Sequence, residues 1–153
     1  MKIMLVCSTG GHFHSMQTLQ SFWNTHERVW VTFSTATTES ALKGEKVYWA
    51  ASPTNRNLPN LVRNFFLAWK VLLHESPDLV ISTGAGVGVP FLVVAKILGS
   101  QTVFIELITR VKQLSLSARL VLPFLDAIYV HWPQLQARYH RAELIGSYAK
   151  ASP

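Results

Sequence analysis

A pair of short apolar runs, each ending in a glycine turn, limits the fold more than any other feature of the sequence. In the first, Lys2–Cys7, every residue from Ile3 to Cys7 is apolar, and the run stops at Ser8-Thr9-Gly10-Gly11. In the second, Asp78–Ser82, Leu79-Val80-Ile81 leads into Ser82-Thr83-Gly84-Ala85-Gly86. A half-exposed strand alternates polar and apolar side chains. Runs without alternation suit strands covered on both faces, as in a parallel sheet. Arg28–Phe33, Lys46–Trp49, Gln101–Glu106 and Ala127–His131 extend the series, with helical patterns at Ser15–Trp23, Thr37–Leu42 and Asn60–Glu75 between them. Such strand–helix alternation predicts an α/β fold with a doubly wound, mostly parallel, Rossmann-like sheet. A single domain over residues 1–146 accommodates all of these elements and leaves 147–153 as a C-terminal tail.

Of the 153 residues, 49% are hydrophobic and 14% charged, against about 25% charged in an average soluble domain. Disorder requires the opposite balance. The lone Cys7 excludes an internal disulfide framework and a cysteine zinc site. The histidines are scattered, so no metal site and no tightly bound cofactor are expected. A net charge of +6 favours anionic partners. The basic residues are dispersed without an aromatic–basic motif, so nucleic acid is not expected among those partners. The opening apolar run is too short for a signal-peptide core. The longest apolar stretch, from Gly86 to Leu98, is broken by Lys96 and falls short of the ~20 residues a spanning helix needs. No membrane-crossing segment is expected.

The helical pattern over Asn60–Glu75 puts Leu61, Phe65, Trp69 and Leu72 on one face, widened by Val62, Phe66 and Leu73. Two readings are open: a well-buried core helix, or a helix partly exposed to lipid or a partner. In the second, Leu61, Arg63, Phe65, Phe66, Trp69 and Lys70 form the contact surface.

Ligands of a doubly wound sheet bind beyond the carboxyl ends of its strands, where three loops hold candidate residues. Ser8, Thr9, Gly10 and Gly11 follow the first strand, and their backbone amides can approach a phosphate; His12 can accept a proton or hold an anion, or simply cap the helix. Thr83, Gly84 and Gly86 form a second such cradle, which also reads as a tight turn needing positive φ. Neither loop is a Walker motif or a G-x-G-x-x-G fingerprint. Glu106 ends a buried strand, where a carboxylate needs a partner. Arg110 can neutralise it or grip a pyrophosphate bidentately.

Lys2-Ile3-Met4-Leu5-Val6-Cys7-Ser8-Thr9-Gly10-Gly11-His12 resembles the opening of PssD-type polysaccharide biosynthesis proteins, bacterial relatives of the eukaryotic ALG-fourteen subunit. The resemblance continues in order through Arg63-Asn64, Ser76–Gly86, Pro90-Phe91, Glu106 to Arg110, Asp126-Ala127, Trp132-Pro133 and Glu143–Gly146. The family pattern carries Ser where this chain has Leu107. The resemblance implies the amino-terminal half of a GT-B glycosyltransferase split over two chains, similar to the acceptor-binding domain of MurG-like enzymes. A small partner subunit would supply the UDP-sugar. The acceptor would be a polyprenyl-pyrophosphate-linked sugar, and the reaction an inverting transfer. Attachment would be peripheral, on the cytoplasmic face of the membrane, since the eukaryotic anchor has no counterpart here. His12 or Glu106 would be the catalytic base, while the glycine loops and Arg110 hold the acceptor. The alternatives are a non-catalytic membrane scaffold and a free-standing nucleotide-binding module.

Overall fold

The computed structural model describes residues 1–145; the predicted tail, 147–153, and Gly146 lie outside the described residues. Strands β1 (Lys2–Cys7), β2 (Glu27–Thr32), β3 (Val47–Trp49), β4 (Leu79–Gly84), β5 (Gln101–Ile105), β6 (Ala127–Val130) and β7 (Ala142–Leu144) form one sheet. Its order is β3-β2-β1-β4-β5-β6-β7, and every pairing is parallel. Alternate residues of β1 feed two separate cores. Ile3, Leu5 and Cys7 pack with Phe13, Met16, Trp23 and Trp30 on one face. Met4 and Val6 pack with Val31, Val80, Phe104 and Ile128 on the other. Double-sided burial is why the run shows no alternation of polarity.

The first core is covered by α1 (Gly11–Gln17), α2 (Gln20–Trp23) and the segment around α3 (Ala36–Ala41). The second is covered by α4 (Leu58–Glu75), α5 (Gly88–Ile97), α6 (Leu116–Val121) and α7 (Pro133–Arg138). The helix predicted over Ser15–Trp23 is in fact two, and the first begins earlier, at Gly11. The break lets Trp23 fold back, so that its indole N–H donates to the Met16 carbonyl at 2.9 Å while its ring packs edge-on against Trp30. Strand β7 was not foreseen: it is three residues long, with the exposed Glu143 at its centre.

Helix α4 buries a different face from the one its apolar pattern predicts. Asn60, Asn64, Ala68, Val71, Leu72 and Glu75 face inward. Of the predicted stripe only Leu72 is buried; Leu61 and Phe65 are half-buried, and Trp69 is exposed. Val62, Phe66 and Leu73 are exposed as well, with Phe66 74% accessible. The reading as a well-buried core helix therefore fails for the outer half of α4. Hydrogen bonds explain the reversal. The Asn64 amide donates to the Ala51 carbonyl at 3.0 Å and accepts from the Ala51 N–H at 2.9 Å. The Asn60 amide donates to the Pro53 carbonyl at 2.7 Å. Fully bonded amides tolerate burial, so α4 turns a polar seam inward to hold the 50–57 loop.

Five ion pairs occur among the described residues: Lys2–Glu27, Lys2–Glu75, Lys46–Glu75, Arg28–Glu45 and Lys96–Asp126. All lie at the amino ends of the strands. Arg56, Arg110 and Lys112, on loops at the carboxyl end, have no ionic partner among the described residues.

Candidate functional site

The chain winds outward in both directions from the neighbouring strands β1 and β4, so the topological switch point of the sheet lies between them. The loop after β1 delivers His12 to this point on the first turn of α1, anchored by the buried Phe13 and Met16 behind it. The His12 Nδ1–H donates to the Thr83 carbonyl at 3.0 Å, and the Thr83 hydroxyl donates to the His12 carbonyl at 2.7 Å. A carbonyl only accepts, so this contact assigns the proton of a neutral imidazole to Nδ1 and leaves the lone pair on Nε2. Gly84 makes the approach possible. Its φ is +122°, and a Cβ there would meet His12 Nδ1 at 2.8 Å.

His12 forms part of the wall of a cleft of about 720 Å³. Arg56, on the 50–57 loop, and Arg110, after β5, contribute two guanidinium groups. Leu58 and Leu61 of α4, Val89 of α5, and Leu116 and Leu120 of α6 supply apolar walls. Among the described residues, no carboxylate lines the cleft. The arrangement combines a free imidazole nitrogen, unneutralised positive charge and an oily surface. It can hold an anionic group with an apolar extension and take a proton from something beside it.

Of the predicted site residues, His12, Gly86, Arg110 and Leu61 line this cleft. Ser8, Thr9, Gly10, Gly11, Thr83 and Gly84 do not. They belong to the two turns behind His12, with Ser8 and Thr83 buried. Arg63 donates to the Asn60 side chain at 2.8 Å, and Phe66, Trp69 and Lys70 lie exposed along α4. Glu106 is only 1% exposed. Its carboxylate accepts from the backbone N–H groups of Leu107 and Ser115 at 3.1 and 2.8 Å. Of the two readings of Arg110, the one that pairs it with Glu106 is therefore corrected: backbone amides hydrogen-bond the carboxylate instead. The carboxylate thereby closes the 107–115 loop, which carries Arg110. Beside it, burial pushes the His131 imidazole below its ordinary range, against a hydrogen bond with the Glu106 backbone and the pull of its carboxylate.

Arg56, Leu116 and Leu120 were missed. The segment around Arg56 reads as a plain Pro/Asn-rich connector, and only the hydrogen bonds from Asn60 and Asn64 bring it over the cleft. Among the described residues no three His, Cys, Asp or Glu side chains gather as a metal site, and no helix is long and apolar enough to cross a membrane.

A family model described as "Oligosaccharide biosynthesis protein Alg14 like" matches residues 48–148, well over half of the chain. The chain belongs to this Alg14-like family. It aligns over 94% of its length, at 29% identity, with the UDP-N-acetylglucosamine transferase subunit ALG14 of Debaryomyces hansenii, spanning 75% of that protein. Over 46% of its length it is 41% identical to the corresponding subunit of Schizosaccharomyces pombe, but it spans only 36% of that relative. Among solved structures, Acinetobacter baumannii MurG superposes with a TM-score of 0.73 at 16% identity, 94% of this Alg14-like chain covering 45% of MurG. That likeness is one of fold. The Alg14-like chain has the Rossmann-like architecture of a GT-B amino-terminal domain.

Proposed function

We propose that this chain is the acceptor-binding subunit of a two-chain inverting glycosyltransferase, on the bacterial PssD-type branch of its family. Its work is polysaccharide or lipid-linked oligosaccharide synthesis. The observation that carries the proposal is the cleft: an imidazole with Nε2 available, two guanidinium groups, no carboxylate and leucine walls. Those chemistries suit a polyprenyl-pyrophosphate-linked sugar. The names of the relatives support a UDP-N-acetylglucosamine donor, supplied through a sugar-nucleotide-binding partner. The exposed apolar face of α4, with Arg63 and Lys70 beside it, suits peripheral contact with the cytoplasmic face of a membrane.

In this reading His12 Nε2 takes the proton of the acceptor hydroxyl as its oxygen bonds to the sugar's anomeric carbon. The bond from that carbon to the nucleotide diphosphate breaks, and its electron pair leaves with the diphosphate. Arg110 and Gly86, on the cleft wall, hold the acceptor. Glu106, with both carboxylate oxygens occupied by amides, shapes the loop and is the weaker candidate for the base. The test is sugar transfer by the co-purified pair. His12→Ala should lower turnover by roughly 10²–10⁴-fold while the two chains still co-purify. Undiminished turnover would remove His12 from the chemistry, and a pair that transfers no sugar at all would favour a scaffold.

A further inference from the structure

Arg56 has a geometry that its role in a surface connector does not require. Its φ is +52°, in the left-handed region that residues with a Cβ rarely adopt. The backbone is held there from several sides: Asn60 bonds the Pro53 carbonyl, Asn64 bonds both backbone groups of Ala51, and Asn57 caps α4 through the Asn60 N–H at 3.0 Å. Thr54 packs close against Gly86, so closely that a Cβ at Gly86 would lie 3.2 Å from it. The loop is thus tied both to α4 and to the turn after β4. The result is a guanidinium on the cleft wall, with Arg110 as the other cleft arginine. Neither has a hydrogen-bonded or ion-paired partner for its side chain among the described residues. Backbone strain of this kind persists where the surroundings over-determine it, and it collects at ligand clamps.

We infer that Arg56 is a specificity-determining residue. It pairs with Arg110 as a two-guanidinium clamp that selects a diphosphate over a monophosphate at the head of an apolar chain. The inference rests on the proposed acceptor reading and sharpens it. One guanidinium satisfies one phosphate bidentately, whereas two, with no carboxylate between them, suit the two linked phosphates of a diphosphate. Both the lipid-linked acceptor and a nucleotide donor carry that group. The leucine walls of the cleft favour the lipid.

The experiment is titration of the full chain, by calorimetry, with farnesyl diphosphate, farnesyl monophosphate and UDP. The wild type is compared with Arg56→Gln, Arg56→Gly and Arg110→Gln. Glycine accepts the left-handed backbone readily, so Arg56→Gly guards against a folding defect. We expect the wild type to prefer the diphosphate lipid to the monophosphate by about tenfold or more, and either Arg56 variant to flatten that preference while monophosphate binding persists. If the preference survives in both Arg56 variants and falls only in Arg110→Gln, the inference is overturned and the acceptor reading stands. A wild type that does not distinguish the two lipids overturns both. Arg56-dependent binding of UDP with Arg56-independent binding of the lipid would assign the clamp to the donor and overturn the inference as stated.

Discussion

Gly84 and His12 depend on each other at the scale of single atoms. The positive φ of Gly84 and the 2.8 Å that would separate a Cβ from His12 Nδ1 leave room for hydrogen alone. Gly84→Ala should cost about 1–3 kcal/mol of stability and, by moving the imidazole, lower turnover of the assembled pair by roughly 100-fold; denaturant melts and transfer assays separate the two effects. Cys7 is the opposite case, a group with chemistry but no access. Burial pushes its thiol up to about 12. It should therefore resist a thiol reagent at pH 8 in the folded protein and react fully after denaturation, as an absorbance assay would register. His12 was legible in the sequence because Gly-Gly-His follows a buried strand directly. Arg56 was not, since nothing local distinguishes it from other loop cations. Its place depends on Asn60 and Asn64, four and eight residues further on, folding back onto the loop.

Among the elements, α4 marks how far hydrophobic patterning reaches. Strands β1 to β6 were found within a residue or two, because parallel burial leaves an unbroken apolar signature, whereas the short edge strand β7 was not. The existence and end of α4 were equally plain, with Pro59 near its start and Pro77 after it; its Asn57 cap shows only in the structure. Which face it buries was not, because patterning treats asparagine as a surface residue while the fold uses Asn60 and Asn64 as internal donors. The two faces should therefore respond differently. Asn64→Ala leaves the Ala51 N–H and carbonyl without their partner, an expected loss of about 1–3 kcal/mol measurable by denaturant unfolding. Phe66→Asp together with Trp69→Asp should leave the unfolding midpoint nearly unchanged but reduce flotation with anionic vesicles. Unaltered flotation would remove α4 from the membrane surface.

Across the whole molecule, His131, Glu75 and Asp126 couple stability to pH with one sign on the acid side. His131 titrates below its ordinary 6.5, chiefly through burial. The unfolded chain thus binds that proton first, and stability falls as the pH drops through this range. Glu75 is pushed up by burial, but the hydrogen bond from Lys46 and the charge of Lys2 outweigh this and hold it low. The hydrogen bonds from Lys96 and the Thr102 backbone do the same for Asp126. Those two contributions are complete above the unfolded carboxylate values and fade as the pH falls towards the folded ones. Urea midpoints should therefore decline in two stages, first near pH 6 and again below about pH 4; a flat response across the first stage would show that His131 is not held neutral by the fold.

The ion pairs gather at the amino ends of the strands, whereas Arg56, Arg110 and Lys112, without ionic partners among the described residues, put positive charge at the pole that carries the cleft. Such a body experiences a torque in the field of any anionic partner, and it turns its cleft forward before touching. The reach of that torque is one Debye length, about 8 Å at physiological salt and 3 Å at 1 M. Added salt should therefore slow encounters far more than it weakens complexes already formed.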